Sequence, residues 1–309
     1  MIEQGKEKEF VEALQSTLIL QATSKSDRES KKDPSVAPRR RSRVKRHLAK
    51  IGKLQFDPNL SDEHFWKIAA MKPFYAGKRA SAVDKRVPHM LKKYLGDREA
   101  LDSKEWDEGG KKFQKFLRDS GNYRHKPALK KVIRAARRIN EWKRVNNRSI
   151  LDFYTYRRGD VSTPEALRQI HEHLQGDLRF GAVTIFHLMT ELGFQVVKPD
   201  RVLNRSTVRM GLIDGYERNG ARYPLDPDIT TKSATSLGNV AEFMWALQGV
   251  YRDISEASGV SMRSLDYIVV KLGQEPDEKN GFARTICRSS KPLCELCSVK
   301  PMCAYGSKR

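Results

Sequence analysis

All four cysteines of this 309-residue chain stand in its last 23 positions, as Cys287, Cys294, Cys297 and Cys303, spaced C-x6-C-x2-C-x5-C. Thiolates are soft ligands, and four of them gathered in so short a segment suit either tetrahedral zinc or an iron–sulfur cluster. Zinc ribbons ordinarily use two close C-x2-4-C pairs. Only Cys294 and Cys297 form such a pair here, which leans away from zinc and leaves both metals open. Disulfides are disfavoured for a cytosolic chain of this length. A second residue of interest is Asp200, in Lys198-Pro199-Asp200-Arg201-Val202-Leu203. An Asp directly before an apolar-periodic segment is a preferred helix N-cap.

The elements that must position these residues read as helices. Apolar residues at Phe10, Val11, Leu14, Leu18 and Ile19 predict a short amphipathic helix over Glu9–Thr23. Ser61-Asp62-Glu63 is a helix start, followed on one face by Phe65, Ile68, Ala69 and Met71. Further helices are expected over Ala82–Leu95, Lys104–Asp119, the long basic Lys126–Arg144, Glu165–Leu174 and Val183–Leu192, the last closed by Gly193. Arg201–Leu212, Val240–Ala257 and Ser261–Leu272 complete the set. Ile213–Leu237, rich in Gly, Pro, Asp and Thr, is expected to be irregular, and no strand or internal repeat stands out. The fold class is all-α.

Charge narrows the partner. Lys and Arg number 59 against 38 Asp and Glu, a net +21 with 39% hydrophobic residues. The chain can build a core, no stretch approaches a membrane span, and Met1–Lys8 lacks a signal-peptide core. The expected location is therefore the cytoplasm, in association with the nucleoid, and the expected partner is a polyanion, nucleic acid before an anionic membrane surface. Between Ser24 and Lys50 eleven Lys/Arg face three acidic residues, with Arg39-Arg40-Arg41-Ser42-Arg43-Val44-Lys45-Arg46 the densest run. Ser24–Pro38 reads as a disordered linker, and the Arg run as an arm for the DNA backbone, adding affinity without sequence preference. The expected organisation is an N-terminal helix (1–23), a basic and largely disordered arm (24–50), a helical body (51–286) and a cysteine loop (287–309).

The cysteine spacing, with Pro292 two before Cys294 and Pro301 two before Cys303, resembles the 4Fe–4S loop of the endonuclease III and adenine-glycosylase branch of the helix-hairpin-helix DNA glycosylases. The order of the other parts is similar too. Glu165–Leu174, the turn Leu178-Arg179-Phe180-Gly181 and Ala182–Leu192 resemble the hairpin at 165–192. Lys198-Pro199-Asp200 through Arg205 and Met210-Gly211-Leu212 resemble the helix that carries the family's acid. Gly121–Ala128 resembles the turn ahead of the hairpin, and Leu265-Asp266-Tyr267 through Gly273 the helix entering the cysteine loop. The likeness spans about Phe56 to Tyr305. It departs from the family in keeping one hairpin glycine, Gly181, where Gly-x-Gly is usual.

The resemblance implies a two-lobed, all-α glycosylase fold, a 4Fe–4S cluster on Cys287, Cys294, Cys297 and Cys303, and monomeric action on double-stranded DNA. It implies that Asp200 is the catalytic carboxylate, stabilising the cationic sugar as the N-glycosidic bond breaks. It implies DNA contacts at Arg179, Gly181, Thr184, Arg205, Arg288 and Lys291, with Arg284 and Lys300 also beside the ligands. Phe74 and Tyr75 are candidates to stack on the flipped base or to fill the gap it leaves. Bifunctional members carry a nucleophilic lysine where this chain has Ala182, and no lysine lies between Phe180 and Val197. The expected activity is thus monofunctional, with water as nucleophile and Lys198 as an unorthodox substitute. The alternatives are a non-catalytic DNA- or RNA-binding protein that keeps the fold and cluster, and a zinc-dependent binding module. The excised base is not legible.

Overall fold

The structure, a computed structural model, describes residues 5–24, 35–75, 83, 87–120, 125–155, 161–277, 280–282 and 284–308. Helices dominate, as expected of an all-α chain. The chain divides into two compact units, residues 1–54 with 195–309, and residues 55–194. These bounds correct the expected organisation. The N-terminal helix and the basic segment are not appendages of a 51–286 body but parts of the same unit as Asp200 and the cysteines.

In that first unit, α1 (Glu7–Ser24) buries Phe10, Val11, Leu14 and Leu18. The next helix, α2 (Val36–Gly52), is a further correction. The Arg-rich run expected to be a disordered arm is helical because its one apolar side is occupied: Val44 is fully buried and His47 lies 4.9 Å from the Tyr267 ring. Most of the expected linker, residues 25–34, lies outside the described residues.

The second unit starts with α3 (Asp62–Tyr75), whose first turn is capped by Ser61 as its sequence suggests, the Ser61 hydroxyl accepting His64 N–H at 3.2 Å. Asp62 also accepts the Ile150 N–H at 2.7 Å. The expected helix over Lys104–Asp119 is two pieces, a 3₁₀ turn at Lys104–Trp106 and α4 (Lys111–Asp119), because Gly109-Gly110 interrupts it. Of the expected Ala82–Leu95 helix, the described stretch from Val87 is helical and widens into a π-turn at Leu91–Leu95. The basic helix α5 (Lys126–Val145) and the short α6 (Ile150–Thr155) follow. Then come α7 (Pro164–Leu178), capped by Thr163, and α8 (Ala182–Glu191). Half of the turn expected ahead of α5, residues 121–124, lies outside the described residues.

The first unit resumes with α9 (Arg201–Met210). The stretch expected to be irregular then holds an antiparallel hairpin, β1 (Gly215–Arg218) and β2 (Ala221–Pro224), and a helix, α10 (Thr231–Leu237). Asn219 and Gly220 both adopt positive φ (52° and 74°), the conformation of a two-residue hairpin turn whose twist matches its strands. Helices α11 (Ala241–Ser258) and α12 (Met262–Gly273) close the unit's core around Leu203, Val208, Phe243, Leu247, Leu265 and Val269.

Candidate functional site

Two clusters of chemically capable residues meet on α9. The first is at its N-terminus. Asp200 is the N-cap: its Oδ1 accepts the N–H groups of Val202 (2.9 Å) and Leu203 (3.0 Å). Its other oxygen, Oδ2, stands 3.0 Å from Lys198 Nζ, and each of the two side chains keeps about a quarter of its surface exposed (25% and 22%). Burial pushes the Asp200 carboxyl up, but the Lys198 ammonium and the two backbone donors outweigh it and hold the group below the ordinary carboxylate range. Burial likewise acts to lower Lys198, and Asp200 with Asp266 overcomes it, so the ammonium is held above its ordinary value.

The segment before Asp200 is held in three places. Gln248, buried on α11, accepts the Val197 N–H (2.8 Å) and donates to the Val197 carbonyl (2.9 Å). Asp266 on α12 accepts the Lys198 N–H at 2.8 Å and faces Arg263 at 3.4 Å. Asn204 donates to the carbonyls of Pro199 (3.1 Å) and Ala234 (3.0 Å). Burial raises the Asp266 carboxyl, against the pull of Arg263 and Lys198. Sequence reasoning missed Gln248, Asp266 and Arg263 as site residues. A lone Asp in the apolar rhythm of α12 was the one available signal; nothing in the sequence distinguishes Gln248.

The second cluster is the cysteine loop, anchored to the far half of α9. Arg205 Nη2 donates to the carbonyls of Gly273 (3.0 Å) and Cys287 (3.1 Å). Arg209 donates to the carbonyls of Arg288 and, at 3.0 Å, Ser289, and its guanidinium lies 4.8 Å from the Tyr305 ring centre. The Tyr305 N–H returns to the Arg209 carbonyl at 2.9 Å. Thr17 of α1 accepts the Ser298 N–H at 2.9 Å, a support from the opposite end of the sequence. All four cysteines line one mostly apolar pocket, partly open to solvent, together with Met210, Leu272, Ile286, Pro292 and Val299. They ring it without converging on a single ion position; among the described residues no three His, Cys, Asp or Glu side chains do so. The Gly306 N–H points at Cys303 Sγ (3.3 Å), and Arg209 Nη1 stands 4.0 Å from Cys287 Sγ. Burial pushes the Cys294 and Cys303 thiols up, and Cys297 to about 12.

The remaining expected site residues divide. Arg205 is 3% exposed and engaged by backbone carbonyls, so its guanidinium is a brace between α12 and the cysteine loop and not a DNA contact. Arg288 and Lys291 are exposed on that loop, Lys291 with φ at 47°, while Lys300 is paired with Glu295 at 2.8 Å. In the second unit, Arg179 is exposed and takes the left-handed conformation (φ 56°) that ends α7, a position usually given to glycine. Gly181 caps α8 with an ordinary φ of −67°, and a Cβ there would meet nothing within 4 Å. Neither torsion nor packing requires a glycine at 181. Thr184 is half-buried, its N–H bonded to the Gly181 carbonyl (2.8 Å). Phe74 is fully buried against Phe116 and His125, which overturns its expected role as a stacking or wedge residue. Tyr75 is half-buried, edge-on to His187.

Comparison with family models, with curated proteins and with solved structures finds no match to this chain.

Proposed function

We propose that this chain is a monofunctional DNA glycosylase. The observation that carries the reading is the Asp200 carboxylate: ionised, partly exposed, fixed at the N-terminus of α9 and already matched to a cation. Breaking an N-glycosidic bond sends the bonding electron pair out with the base and leaves positive charge on the sugar. A preorganised carboxylate stabilises that charge, and water then adds to the anomeric carbon with loss of a proton. Ala182, at the first position of α8, offers no amine for covalent attack. The exposed α7–α8 turn, where Gly181 leaves room for close approach, suits a phosphate at a helix N-terminus.

The cysteine cavity fits the 4Fe–4S cluster that the resemblance implies. Its donors are four thiols, with a backbone N–H and the Arg209 cation beside them to balance sulfur charge. In this reading the cluster's contribution is structural: Cys287, Cys294, Cys297 and Cys303 hold the loop that carries Arg288 and Lys291.

A second reading, a nucleic-acid-binding protein without chemistry, draws on the Lys198–Asp200 pair, which leaves the carboxylate neutralised. Incubation with duplexes carrying oxidised, alkylated, mispaired and modified bases, followed by hot alkali, separates the two. The glycosylase reading expects abasic sites in one class of duplex, no strand breaks before alkali, and a loss of about 10²-fold or more in rate for Asp200→Asn. Full activity in Asp200→Asn would overturn it. Purified protein should be yellow-brown and contain iron; a colourless protein carrying zinc would refute the cluster.

A further inference from the structure

We propose that α2 is a rigid phosphate-binding face, fitted to the backbone of duplex DNA over about half a helical turn. The proposal goes beyond glycosylase activity and does not require any bond to be broken.

The helix carries Arg39, Arg40, Arg41, Arg43, Lys45, Arg46 and Lys50 and no acidic residue. Four of these, Arg39, Arg43, Arg46 and Lys50, follow at i, i+4, i+7 and i+11, which places them in one stripe along the helix. All four are exposed; Arg41 and Lys45, also exposed, lie farther round the helix, away from the stripe. At 1.5 Å per residue the stripe is about 16 Å long, the length of about five base pairs at 3.4 Å each. A row of cations at that scale complements a strand that places one phosphate per base pair.

Another side of α2, through Val44 and His47, is seated, and this separates a fixed face from a tethered tail. Val44 is fully buried and His47 faces Tyr267. A Cβ at Gly281 would stand 2.9 Å from the Arg40 carbonyl oxygen and 3.1 Å from Val44 Cγ2, so the turn leading to the cysteine loop touches α2 through a glycine. At the helix's other end a Cβ at Gly52 would meet Ser264 Oγ of α12 at 3.3 Å. Asp277, the carboxylate that acts on His47, is held by Lys271 at 2.6 Å and by Asn280 at 2.9 Å. The basic face is thus built into the unit that contains Asp200, and its phosphate contacts have a fixed register to α9.

The test is the salt dependence of binding to an unmodified duplex of about 20 base pairs, followed by fluorescence anisotropy. Each phosphate contact contributes about 0.9 to the slope of log K against log salt. Replacing Arg39, Arg43, Arg46 and Lys50 together by Gln should reduce the slope by about three to four and weaken binding at least about tenfold at low salt. The charge-conserving variant Arg39→Lys/Arg43→Lys/Arg46→Lys should keep the slope of the unaltered protein. An unchanged slope in the Gln variant, or an equal loss in the Lys variant, would overturn the proposal. So would a Gln-variant defect seen only on phosphatidylserine vesicles, which would make the face a membrane surface. Because the duplex is unmodified and only binding is read, failure to find an excised base leaves this result unaffected.

Discussion

Lys198 and Asp200, two residues apart across Pro199, face each other at 3.0 Å, and each shifts the other toward its charged form. The ammonium lies against the oxygen that helix α9 does not use. In the proposed reaction that oxygen must instead face a cationic sugar, so the lysine stands where the substrate's charge is to develop. DNA binding would then draw Lys198 toward a phosphate and release Asp200 to the sugar.

The pair also has a pH signature in stability. Asp200 is held below its unfolded value, so its contribution is present above about pH 4 and is lost as pH falls through the lowered folded value. Lys198 is held above its unfolded value, so its contribution is present below about pH 10 and is lost as pH rises through the folded value. Lys198→Met should cost about 2 kcal/mol at neutral pH, because a partly buried carboxylate loses its counterion. The cost should shrink at acid pH, once the pH has fallen through the lowered folded value and the carboxylate is protonated. Urea unfolding at the two pH values measures this; equal losses at both would show that the ion pair does not stabilise the fold.

Gln248 holds the extended segment that delivers Lys198 and Asp200. Its two bonds to Val197 are buried, and Gln248→Leu would leave one backbone donor and one acceptor without a partner. A destabilisation of about 2–4 kcal/mol is expected. The loss of excision should exceed what the unfolded fraction accounts for, because the carboxylate moves with its segment. Asp266→Asn keeps an acceptor for the Lys198 N–H but removes the charge that faces buried Arg263, so it should cost stability while leaving the segment in place. Denaturation curves taken with single-turnover rates distinguish the two outcomes, and normal rates in folded Gln248→Leu would remove Gln248 from the positioning of the site.

Arg205 joins two carbonyls, Gly273 at the end of α12 and Cys287 at the start of the cysteine loop. Arg205→Ala should destabilise by about 3 kcal/mol, since two acceptors lose a charged donor. Arg205→Lys should recover only part of this, because an ammonium lacks the planar fork. The specific readout is iron per chain after gel filtration: it should fall in Arg205→Ala while the exposed-loop variant Arg288→Ala retains it. Equal iron in both would mean that the loop holds its shape without the brace.

The parts of this molecule that obey local rules were legible in the sequence. Ser61 and Asp200 are caps that name their helices, and the apolar rhythm of residues 126–144 needs no tertiary information. The Asn219-Gly220 turn was equally local, yet the Gly/Pro/Asp-rich surroundings made its hairpin read as loop. Tertiary context decided the rest. The Arg-rich run reads as a disordered DNA-binding arm because Val44 is its one apolar residue, and the burial of that side chain against a distant glycine cannot be seen locally. Arg205 has the spacing of a surface cation, and only the fold shows that two carbonyls enclose it. The cysteines were legible as a set, whereas their support from Thr17 crosses nearly the whole chain.

Phe74 offers a direct contrast between packing and base recognition. Its ring is fully buried, 6.0 Å from Phe116 and 5.5 Å from His125, so truncation to Ala should open a cavity and cost about 3–5 kcal/mol. Phe74→Leu keeps most of the volume and should cost about 1.5 kcal/mol or less. Neither change removes a group that can reach a base, so excision per folded molecule should stay at the level of the unaltered chain. Tyr75 has surface to offer, and Tyr75→Ala is the variant in which a stacking role would appear as slower excision at unchanged stability. If folded Phe74→Leu lost excision while Tyr75→Ala kept it, the ring at 74 would have to leave the core on DNA binding. The packing around Phe116 and His125 would then be a resting state.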